Sequence, residues 1–557
     1  MAFKVFFLLI TMPILIVHAT DVAPTTPVSP IDVCKFTSDP SYCKSVLPYQ
    51  TADSYTFGRY CVRKSYSQSR LFSNLVERYL ETYRSTLSKP EVRALEDCSL
   101  LAGLNIDFLS SSFETVNATS TTLPITKADD VQSSLSAILT NLETCLDGLQ
   151  ATVSAASIKN GLLVPLLNDT KLYSVSLALV TRAWVPKEKK GTMWQPKKKQ
   201  LLFRNGRFQF KMSGRTRAIY ESVIKRKLDQ QIGDDDQVLV SDVVIVSQDG
   251  SGNFSTITDA INVAPNNTDG SNGYFLIYVT AGVYEEYISI AKNKKYLMMM
   301  GDGINQTVIT GNRSVVDGWT TFNSATFVVV SPNFVMMDIT IRNTAGAIKQ
   351  QAVALRSGGD LSTFYRCSFE AYQDTLYTHS LRQFYRECDI YGTVDFIFGN
   401  AAVVIQNCNI YPRLPMSGQF IAITAQGRTD PNQNTGTSIH NCAIRAADDL
   451  ASSNQIVQTY LGRPWKEYSK TVYMQSFIDG LINPAGWHIW SGDFALSTLY
   501  YAEYNNTGAG SNTSNRVTWP GYHVITATDA ANFTVTNFLA GDSWLPTTGV
   551  PYTGGLI

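Results

Sequence analysis

The chain has 557 residues, which is too long for one hydrophobic core of ordinary size, so its length predicts two or more folded units. Hydrophobic residues make up 44% and charged residues 17% of the chain, a composition that excludes a disordered chain and a collagen-like fibre. The formal net charge is zero, from 46 basic and 46 acidic residues, which at face value predicts no preference for nucleic acid or a membrane surface.

The charges are unevenly distributed along the chain. Residues 1–186 carry 15 basic and 16 acidic side chains, residues 187–227 carry 14 and 2, and residues 228–557 carry 17 and 28. A basic segment between a nearly neutral part and an acidic part indicates a connector between two domains.

The first 19 residues have the pattern of a secretory signal peptide. Lys4 precedes an apolar run that Pro13 interrupts, and the run ends in small residues that fit cleavage after Ala19. No later segment has the sequence of a membrane span, so we expect an extracellular protein with no span in its mature form. Nine Asn-x-Ser/Thr acceptors agree with export: Asn117, Asn168, Asn253, Asn266, Asn305, Asn312, Asn505, Asn512 and Asn532.

Residues 28–182 are predicted to form an all-α antiparallel helical bundle. Three segments, at 69–87, 92–113 and 131–149, place apolar residues at three- and four-residue spacing. The candidate disulfides are Cys34 with Cys43, in a leader that we expect to be non-helical, and Cys98 with Cys145, on separate helices. Cys61 is then left over.

The connector, residues 183–239, contains the basic clusters KEKK, PKKK and KRK and shows no sustained periodicity. It is a solvated flexible linker or, in the interpretation that we favour, a segment that a processing protease cleaves.

From residue 240 onward, short runs rich in Val, Ile, Phe, Thr and Tyr are typical of β-strands. Cys367, Cys388 and Cys408 recur at spacings of 21 and 20 residues, each followed two places later by Phe or Ile, and Cys442 lies 34 residues further on. This period predicts stacked parallel coils in which these side chains point inward. We expect Cys367 and Cys388 to form a buried column, whereas Cys408 and Cys442 are a third candidate disulfide.

Two aspartates share one position in the repeat. Asp374 and Asp395 each lie seven residues after a repeat cysteine, so we expect them on adjacent strands, about 4.8 Å apart along the stack. Two carboxylates at that separation cannot both ionise freely, so one is predicted to serve as an acid while the other stays anionic. The alternative is that one of them caps a turn or binds an arginine.

Amide and aromatic residues surround this pair in the sequence. Gln373 is adjacent to Asp374, and Gln351 lies about one coil earlier; their amides can donate hydrogen bonds to a developing oxyanion without adding charge. The aromatic residues near the pair indicate a sugar-binding cleft, and they are Tyr372, Tyr377, Phe396 and Phe398.

Five segments of this region resemble the signature segments of plant pectin methylesterases. They are DGSGNFSTITDAI (249–261), QAVALR (351–356), QDTLY (373–377), GTVDFIFG (392–399) and LGRPW (461–465). Residues 28–182 are similar to the inhibitor-like pro-region of many of these enzymes, through Cys34 and Cys43, LEDC (95–98) and TNLETCLDGL (140–149).

The resemblance implies that residues 240–557 form a right-handed parallel β-helix. This domain would hydrolyse the C6 methyl esters of homogalacturonan (pectin) in the plant cell wall, without a cofactor or a metal. The implied partners are pectin, a separate inhibitor protein and a processing protease, with no nucleic acid, and the implied state is a monomer. The helical pro-region would inhibit its own enzyme or aid folding and secretion.

The resemblance also assigns roles to residues of this chain. Asp395 would be the nucleophile, and Asp374 would protonate departing methanol and then activate water. Gln373 and Gln351 would stabilise the oxyanion. Arg463 would orient Asp395 and keep it ionised, and Trp465 and Thr321 would contact the sugar.

The connector departs from the family at Arg226-Lys227-Leu228-Asp229, where a basic pair followed by two leucines is usual. Processing is still predicted near residues 226–229. It would leave an enzyme with a net charge of about −11. Such an enzyme is expected to release its polyanionic product, unless basic residues line the cleft.

Other functions fit the residues less well. A Ser-His-Asp esterase lacks a G-x-S-x-G segment, and the histidines (His379, His440, His488 and His523) are scattered, without metal-site spacing, and read as structural or surface residues. A solenoid lyase would require calcium-binding carboxylates, and a polygalacturonase would require carboxylates placed to cleave a glycosidic bond. A non-catalytic pectin-binding or inhibitor protein is the alternative from another class, and the intact set of candidate catalytic residues argues against it.

Overall fold

The computed structural model describes residues 23–152, 156–185, 203–204, 207–208, 210–211, 214–224 and 238–557. The predicted signal peptide, most of the connector and the predicted processing site at 226–229 lie outside these residues. Within the described residues, no helix is both long enough and apolar enough to cross a membrane.

The N-terminal part is a bundle of four long helices with two short helices before it. The helices are α1 (Pro30–Cys34), α2 (Pro40–Val46), α3 (Ser54–Tyr83), α4 (Lys89–Asn117), α5 (Ile125–Thr152) and α6 (Ala156–Trp184). On α5 the predicted apolar spacing buries five side chains in the core between the helices: Leu135, Ile138, Leu142, Cys145 and Leu149. The predicted bundle is therefore observed, with a fourth long helix that the sequence analysis did not single out.

Two disulfides tie the bundle together. Cys34 is bonded to Cys43, and Cys98 is bonded to Cys145. The expectation of a non-helical leader is wrong, because α1 and α2 each begin with a side-chain cap, from Ser29 and Asp39, followed by proline at the first helical turn.

Part of the connector has regular structure, in contrast to its aperiodic sequence. Its elements are β1 (Phe203–Arg204), β2 (Arg207–Phe208), β3 (Phe210–Lys211) and α7 (Gly214–Ile224). β3 pairs with the first long strand of the β-rich part, and Tyr220 of α7 packs in the core outside that strand.

The C-terminal part is a right-handed parallel β-helix built from three sheets. The first, here called the cleft sheet, contains β7 (Ile288–Ile290), β10 (Phe327–Val329), β13 (Leu355–Ser357), β16 (Leu376–Thr378), β19 (Val394–Gly399), β22 (Ile421–Gln426) and β25 (Thr459–Gly462). The second contains β3, β4 (Val238–Val246), β5 (Tyr274–Val279), β8 (Leu297–Gly301), β11 (Val335–Met337), β14 (Ser362–Tyr365), β17 (Arg382–Arg386), β20 (Ala402–Gln406), β23 (Gly436–His440), β26 (Lys470–Met474), β28 (Tyr500–Tyr504) and β29 (Tyr522–Val524). The third contains β6 (Gly282–Tyr284), β9 (Thr307–Gly311), β12 (Thr340–Asn343), β15 (Ser368–Glu370), β18 (Asp389–Gly392), β21 (Asn409–Pro412), β24 (Ala443–Ile444) and β27 (Phe477–Ile478).

Short helices accompany the coils. They are α8 (Ile257–Val263), α9 (Asp448–Ala451), α10 (Ala527–Ala531), α11 (Val535–Leu539) and α12 (Leu545–Thr548). Except at the two ends of the second sheet, neighbouring strands in each sheet are three apart in chain order, so each full coil adds one strand to each sheet.

The predicted repeat sets the register of the coils. The residues two places after the cysteines, Phe369, Ile390, Ile410 and Ile444, pair strand to strand and are all buried. The residue before each cysteine has a left-handed backbone, with φ between 49° and 56°, which turns the chain from the second sheet into the third: Arg366, Glu387, Asn407 and Asn441.

The predicted bridge between Cys408 and Cys442 is wrong. Both cysteines are free, as are Cys367 and Cys388, so the buried column contains all four. Side chains that stack in register on parallel coils point inward side by side, whereas a disulfide needs a Cβ–S–S–Cβ dihedral near 90°. The Sγ of Cys442 instead donates to the carbonyl oxygen of Ile405 at 3.2 Å and accepts from the backbone nitrogen of Cys408 at 3.4 Å.

Candidate active site

The candidate site lies on the outer face of the cleft sheet. The pairing of Leu376 with Ile397 puts Asp374 and Asp395 at equivalent positions of adjacent coils, and the Asp374 nitrogen donates to the carbonyl oxygen of Val394 at 3.1 Å. Both aspartates have a left-handed backbone, with φ of 65° and 53°, a conformation that aspartate tolerates better than most residues. Both side chains are buried.

Among the residues that the structure describes, only one of the two carboxylates has an arginine partner. Arg463, directly after β25, donates from Nε to Oδ1 of Asp395 at 2.7 Å and from Nη2 to Oδ2 at 2.6 Å. The guanidinium lies 5.1 Å from the ring centre of Phe420 and 4.3 Å from that of Trp490. The two rings restrict its movement, so Arg463 can hold Asp395 in a fixed orientation.

The surroundings separate the pKa values of the two aspartates. Burial raises the pKa of Asp374 well above its ordinary value, and the charge of Asp395 raises it further, against a smaller opposing effect of Arg463. Burial also raises the pKa of Asp395, and the hydrogen bonds and charge of Arg463 offset only part of this rise, so the pKa of Asp395 stays above its ordinary value. The pair is therefore suited to one protonated and one ionised carboxyl group.

The two candidate oxyanion donors lie on adjacent coils beside the aspartates. Gln373 directly precedes Asp374, and the nitrogen of Ala352, next to Gln351, donates to the carbonyl oxygen of Gln373 at 3.2 Å. The Oε1 atom of Gln351 is buried and has no hydrogen-bond partner among the described residues. A buried acceptor oxygen without a partner is typical of a group that binds a hydrogen-bond donor of a ligand.

Aromatic side chains line the cleft beside the aspartates. The ring centre of Tyr377 is 4.2 Å from that of Phe398 and 6.5 Å from those of Phe322 and Trp465. Gly427 allows this packing, because a Cβ atom there would lie 2.8 Å from the Trp465 ring. Thr321, next to Phe322, is half-buried.

Two of the predicted cleft aromatics lie elsewhere. Phe396 points into the core of the β-helix, because a register shift in β19 between Val394 and Ile397 breaks the alternation of the strand. Tyr372 packs on Arg413, whose guanidinium lies 4.0 Å from the ring centre.

The helical bundle covers this cleft. Phe322, Val353, Tyr377, Phe398 and Ala425 of the β-helix belong to the same continuous apolar core as the interior of the bundle.

Polar contacts between the bundle and the β-helix surround this apolar core. Lys466 donates to Glu143 at 2.6 Å and to Asp147 at 2.8 Å, both on α5. The Thr144 hydroxyl lies 3.0 Å from Nε2 of His379.

Several functional neighbours were missed from the sequence. His379, which is predicted to be a structural or surface residue, is buried at the contact with α5, and this position fits the structural alternative. His488 stacks on Phe420, with ring centres 4.4 Å apart, and its charge lowers the pKa of Asp395. The sequence carried no signal for Phe420, His488 and Trp490 because they lie in two segments distant from Arg463 along the chain. Phe420 directly precedes β22, whereas His488 and Trp490 lie together after β27. In the described part of the chain, no group of three or more His, Cys, Asp or Glu side chains could hold a metal ion.

The fold and the site define an enzyme of the parallel β-helix class with a covering helical domain. The family model for pectinesterase matches residues 243–542, and the model for plant invertase/pectin methylesterase inhibitor matches residues 30–179. The chain therefore belongs to the pectinesterase family and is a pectinesterase with an N-terminal inhibitor-like domain.

Relatives and solved structures agree with this assignment. The chain is 64% identical to a probable pectinesterase/pectinesterase inhibitor 20 of Arabidopsis thaliana, over 95% of this chain and 94% of that protein. It is 51% identical to pectinesterase 2 of Citrus sinensis, over 84% and 82% of the two chains. The structure of the pectin methylesterase from carrot aligns with a TM-score of 0.55 and 56% identity, over 56% of this chain and 98% of that chain.

Proposed function

We propose that the β-helix hydrolyses the C6 methyl esters of pectin through an acyl-enzyme on Asp395. The observation that carries this proposal is the asymmetry of the carboxylate pair: Arg463 binds both oxygens of Asp395 and leaves Asp374 without an arginine partner among the described residues. An arginine-bound carboxylate stays ionised and can attack, whereas a buried neighbour with a raised pKa can carry a proton.

The steps balance without a cofactor. An oxygen of Asp395 attacks the ester carbonyl carbon, and the carbonyl oxygen becomes an oxyanion that the amides of Gln351 and Gln373 stabilise. The bond to the methoxy group breaks, and Asp374 gives its proton to the departing oxygen, which leaves as methanol. Asp374, now ionised, takes a proton from water, and the hydroxide attacks the acyl carbon. This releases the Asp395 carboxylate and galacturonic acid, which loses its proton to solvent.

Sugar contacts are proposed for the cleft residues beside the pair. Trp465 offers a half-buried ring, packed on Tyr377 and Phe398, against which a sugar ring can lie. Thr321 is half-buried on the segment that leads into Phe322 and can donate to a sugar hydroxyl. Arg463, held at Asp395, would contact the ester group of the same sugar.

Two isosteric variants test the mechanism, assayed as methanol release after the bundle has been removed. Asp395→Asn is expected to reduce the rate by at least about 1,000-fold, because it removes the nucleophile. Asp374→Asn is expected to reduce it by at least about 100-fold, because it removes the proton donor and base. Asp389→Asn, a carboxylate on β18 of the third sheet, is the matched control and is expected to keep full activity. An active Asp395→Asn enzyme would refute the mechanism.

We also propose that the bundle inhibits the enzyme until the connector is cut. Support comes from the shared apolar core over Tyr377 and Phe398 and from the contacts of α5 with Lys466 and His379. A polymer cannot enter a cleft whose aromatic rings are buried against helices. In this proposal the protein is secreted as a monomer into the cell wall, and a protease cuts near residues 226–229 to release the acidic enzyme.

A further inference from the structure

A second concave site lies on the β-helix, away from the carboxylate pair. It is a cavity of about 510 Å³ between the loop that follows β9 and the loop that follows β12. The side chains used here are Tyr287, Arg313, Asp317, Trp319 and Lys349. None of them has a role in the mechanism above.

Arginine and aromatic side chains are stacked in this cavity. The guanidinium carbon of Arg313 lies 3.6 Å from the ring centre of Tyr287 and 3.8 Å from that of Trp319. Both rings therefore hold Arg313 in place while its N–H groups stay at the rim of a half-exposed site.

The bundle contacts one wall of this cavity, although the lining side chains all belong to the β-helix. Arg93 of α4 lies with its guanidinium carbon 3.6 Å from the ring centre of Trp319 and donates to the carbonyl oxygen of Gly318. Two like-charged guanidinium groups thus contact one ring, one from each domain. When the bundle leaves, ring surface of Trp319 becomes accessible and the repulsion on Arg313 disappears.

The charges of the cavity favour an anion. Lys349 is paired with Asp317, whereas Arg313 has no carboxylate partner among the residues that the structure describes. The cavity therefore has a net positive charge, although residues 228–557 carry 28 acidic and only 17 basic side chains. A guanidinium beside an aromatic ring suits a sugar with a carboxylate: the carboxylate binds Arg313 and the sugar ring packs on Trp319.

The cavity lies along the same face as the catalytic pair. Tyr287 directly precedes β7, which is four strands from β19 in the cleft sheet, so the two sites are about 19 Å apart along the stack. Trp319 and the proposed sugar contact Thr321 belong to one segment, which continues into the cleft residue Phe322. A polysaccharide bound at the aspartates can therefore extend into the cavity.

We propose that Arg313, Trp319, Tyr287 and Lys349 form a distal subsite for a demethylated galacturonate unit of the polymer. The proposal rests on the proposed function and deepens it. The acidic net charge of the enzyme predicts release of the polyanionic product unless basic residues line the cleft. Basic residues do line this part of the cleft, so that prediction changes. An enzyme that holds a free carboxylate distally would act preferentially on chains that already contain demethylated units.

The test measures binding of a fully de-esterified oligogalacturonide, which the enzyme cannot hydrolyse, by calorimetry. The protein is the secreted chain, cut in its connector and freed of the bundle, and treated with an endoglycosidase because Asn312 is a glycan acceptor at the rim. Arg313→Gln, which preserves that acceptor sequence, is expected to weaken binding about tenfold. Lys349→Gln is expected to weaken it about threefold.

The matched control is Arg342→Gln. It removes the same charge from β12 of the third sheet, where Arg342 pairs with Glu370, and is expected to change binding by less than about twofold. Thermal unfolding checks that each variant is folded. Equal weakening by the Arg313 and Arg342 variants, or no weakening by the Arg313 and Lys349 variants, would overturn the subsite.

Methanol release from methylated pectin by the same cut protein separates the two proposals. If the cut protein releases methanol but Arg313→Gln binds the oligogalacturonide as the parent does, only the subsite fails. If it releases no methanol but Arg313→Gln still weakens binding, the proposed catalysis fails and the subsite stands.

Discussion

Asp97 of α4 places its carboxylate in the covered cleft, where it accepts hydrogen bonds from the Thr320 hydroxyl, at 2.5 Å, and from the Asn323 amide. Burial raises the pKa of Asp97 to about 7, against the smaller lowering effects of these donors and of the nearby Arg356, while Glu96 raises it slightly. The protonated carboxyl group is thus the form that the docked bundle favours.

Docking of the bundle should therefore depend on pH. A carboxyl group whose pKa rises from its ordinary 3.8 to about 7 on docking stabilises the docked state at low pH, and this stabilisation is lost as the pH rises through 7. Affinity is expected to fall by up to about tenfold per pH unit in this range. The measurement is gel filtration of the cut chain: the bundle should stay bound at pH 5 and separate at pH 8.

Asp97→Asn is the control for this dependence, because it cannot titrate. Its bundle should dissociate with a flatter pH profile, and the remaining slope is expected from Asp147, whose pKa is raised by burial to about 6. A parent chain that releases its bundle equally at both pH values would contradict the assignment to Asp97.

At the scale of elements, α5 makes the polar contacts that surround Lys466. The Lys466 side chain is only 16% exposed and lies between Glu143 and Asp147, so its charge depends on these partners. In the part of the chain that the structure describes, two other ion pairs join the domains: Arg382 with Asp130 of α5, and Lys292 with Asp107 of α4, which is about half exposed on both sides. Removing one partner of a buried ion pair strongly destabilises the docked state, whereas an exposed ion pair contributes little to its stability.

The double variant Glu143→Gln, Asp147→Asn should therefore loosen the bundle. It leaves Lys466 buried without a counter-charge and is expected to weaken docking by about 1–3 kcal/mol, which raises methanol release by the uncut chain. Asp107→Asn, the control, is expected to change docking by less than about 0.5 kcal/mol. Equal activity of the two uncut variants would show that α5 does not hold the bundle through this pair.

At the scale of the whole molecule, the sequence predicts the features that repeat or are local. The cysteine spacing gives the coil and its register, which places Asp374 beside Asp395, and the apolar spacing gives the bundle. Phe396 and the bond between Cys408 and Cys442 were mispredicted, because a register shift in β19 and parallel side chains on stacked coils are set by the three-dimensional packing. The position of the bundle on the cleft cannot be predicted from local sequence patterns, because its contacts join residues more than 200 positions apart, such as Asp97 and Thr320.

The central claim is that one chain contains an esterase and the domain that covers it. The most direct test is methanol release from methylated pectin by one sample, before and after the connector is cut and the bundle is removed. We expect the rate of methanol release to rise by at least about 100-fold when the bundle is removed, which corresponds to about 3 kcal/mol of inhibition. We expect no activity in cut Asp395→Asn. An uncut chain that is as active as the cut chain, with the bundle still docked, would contradict it.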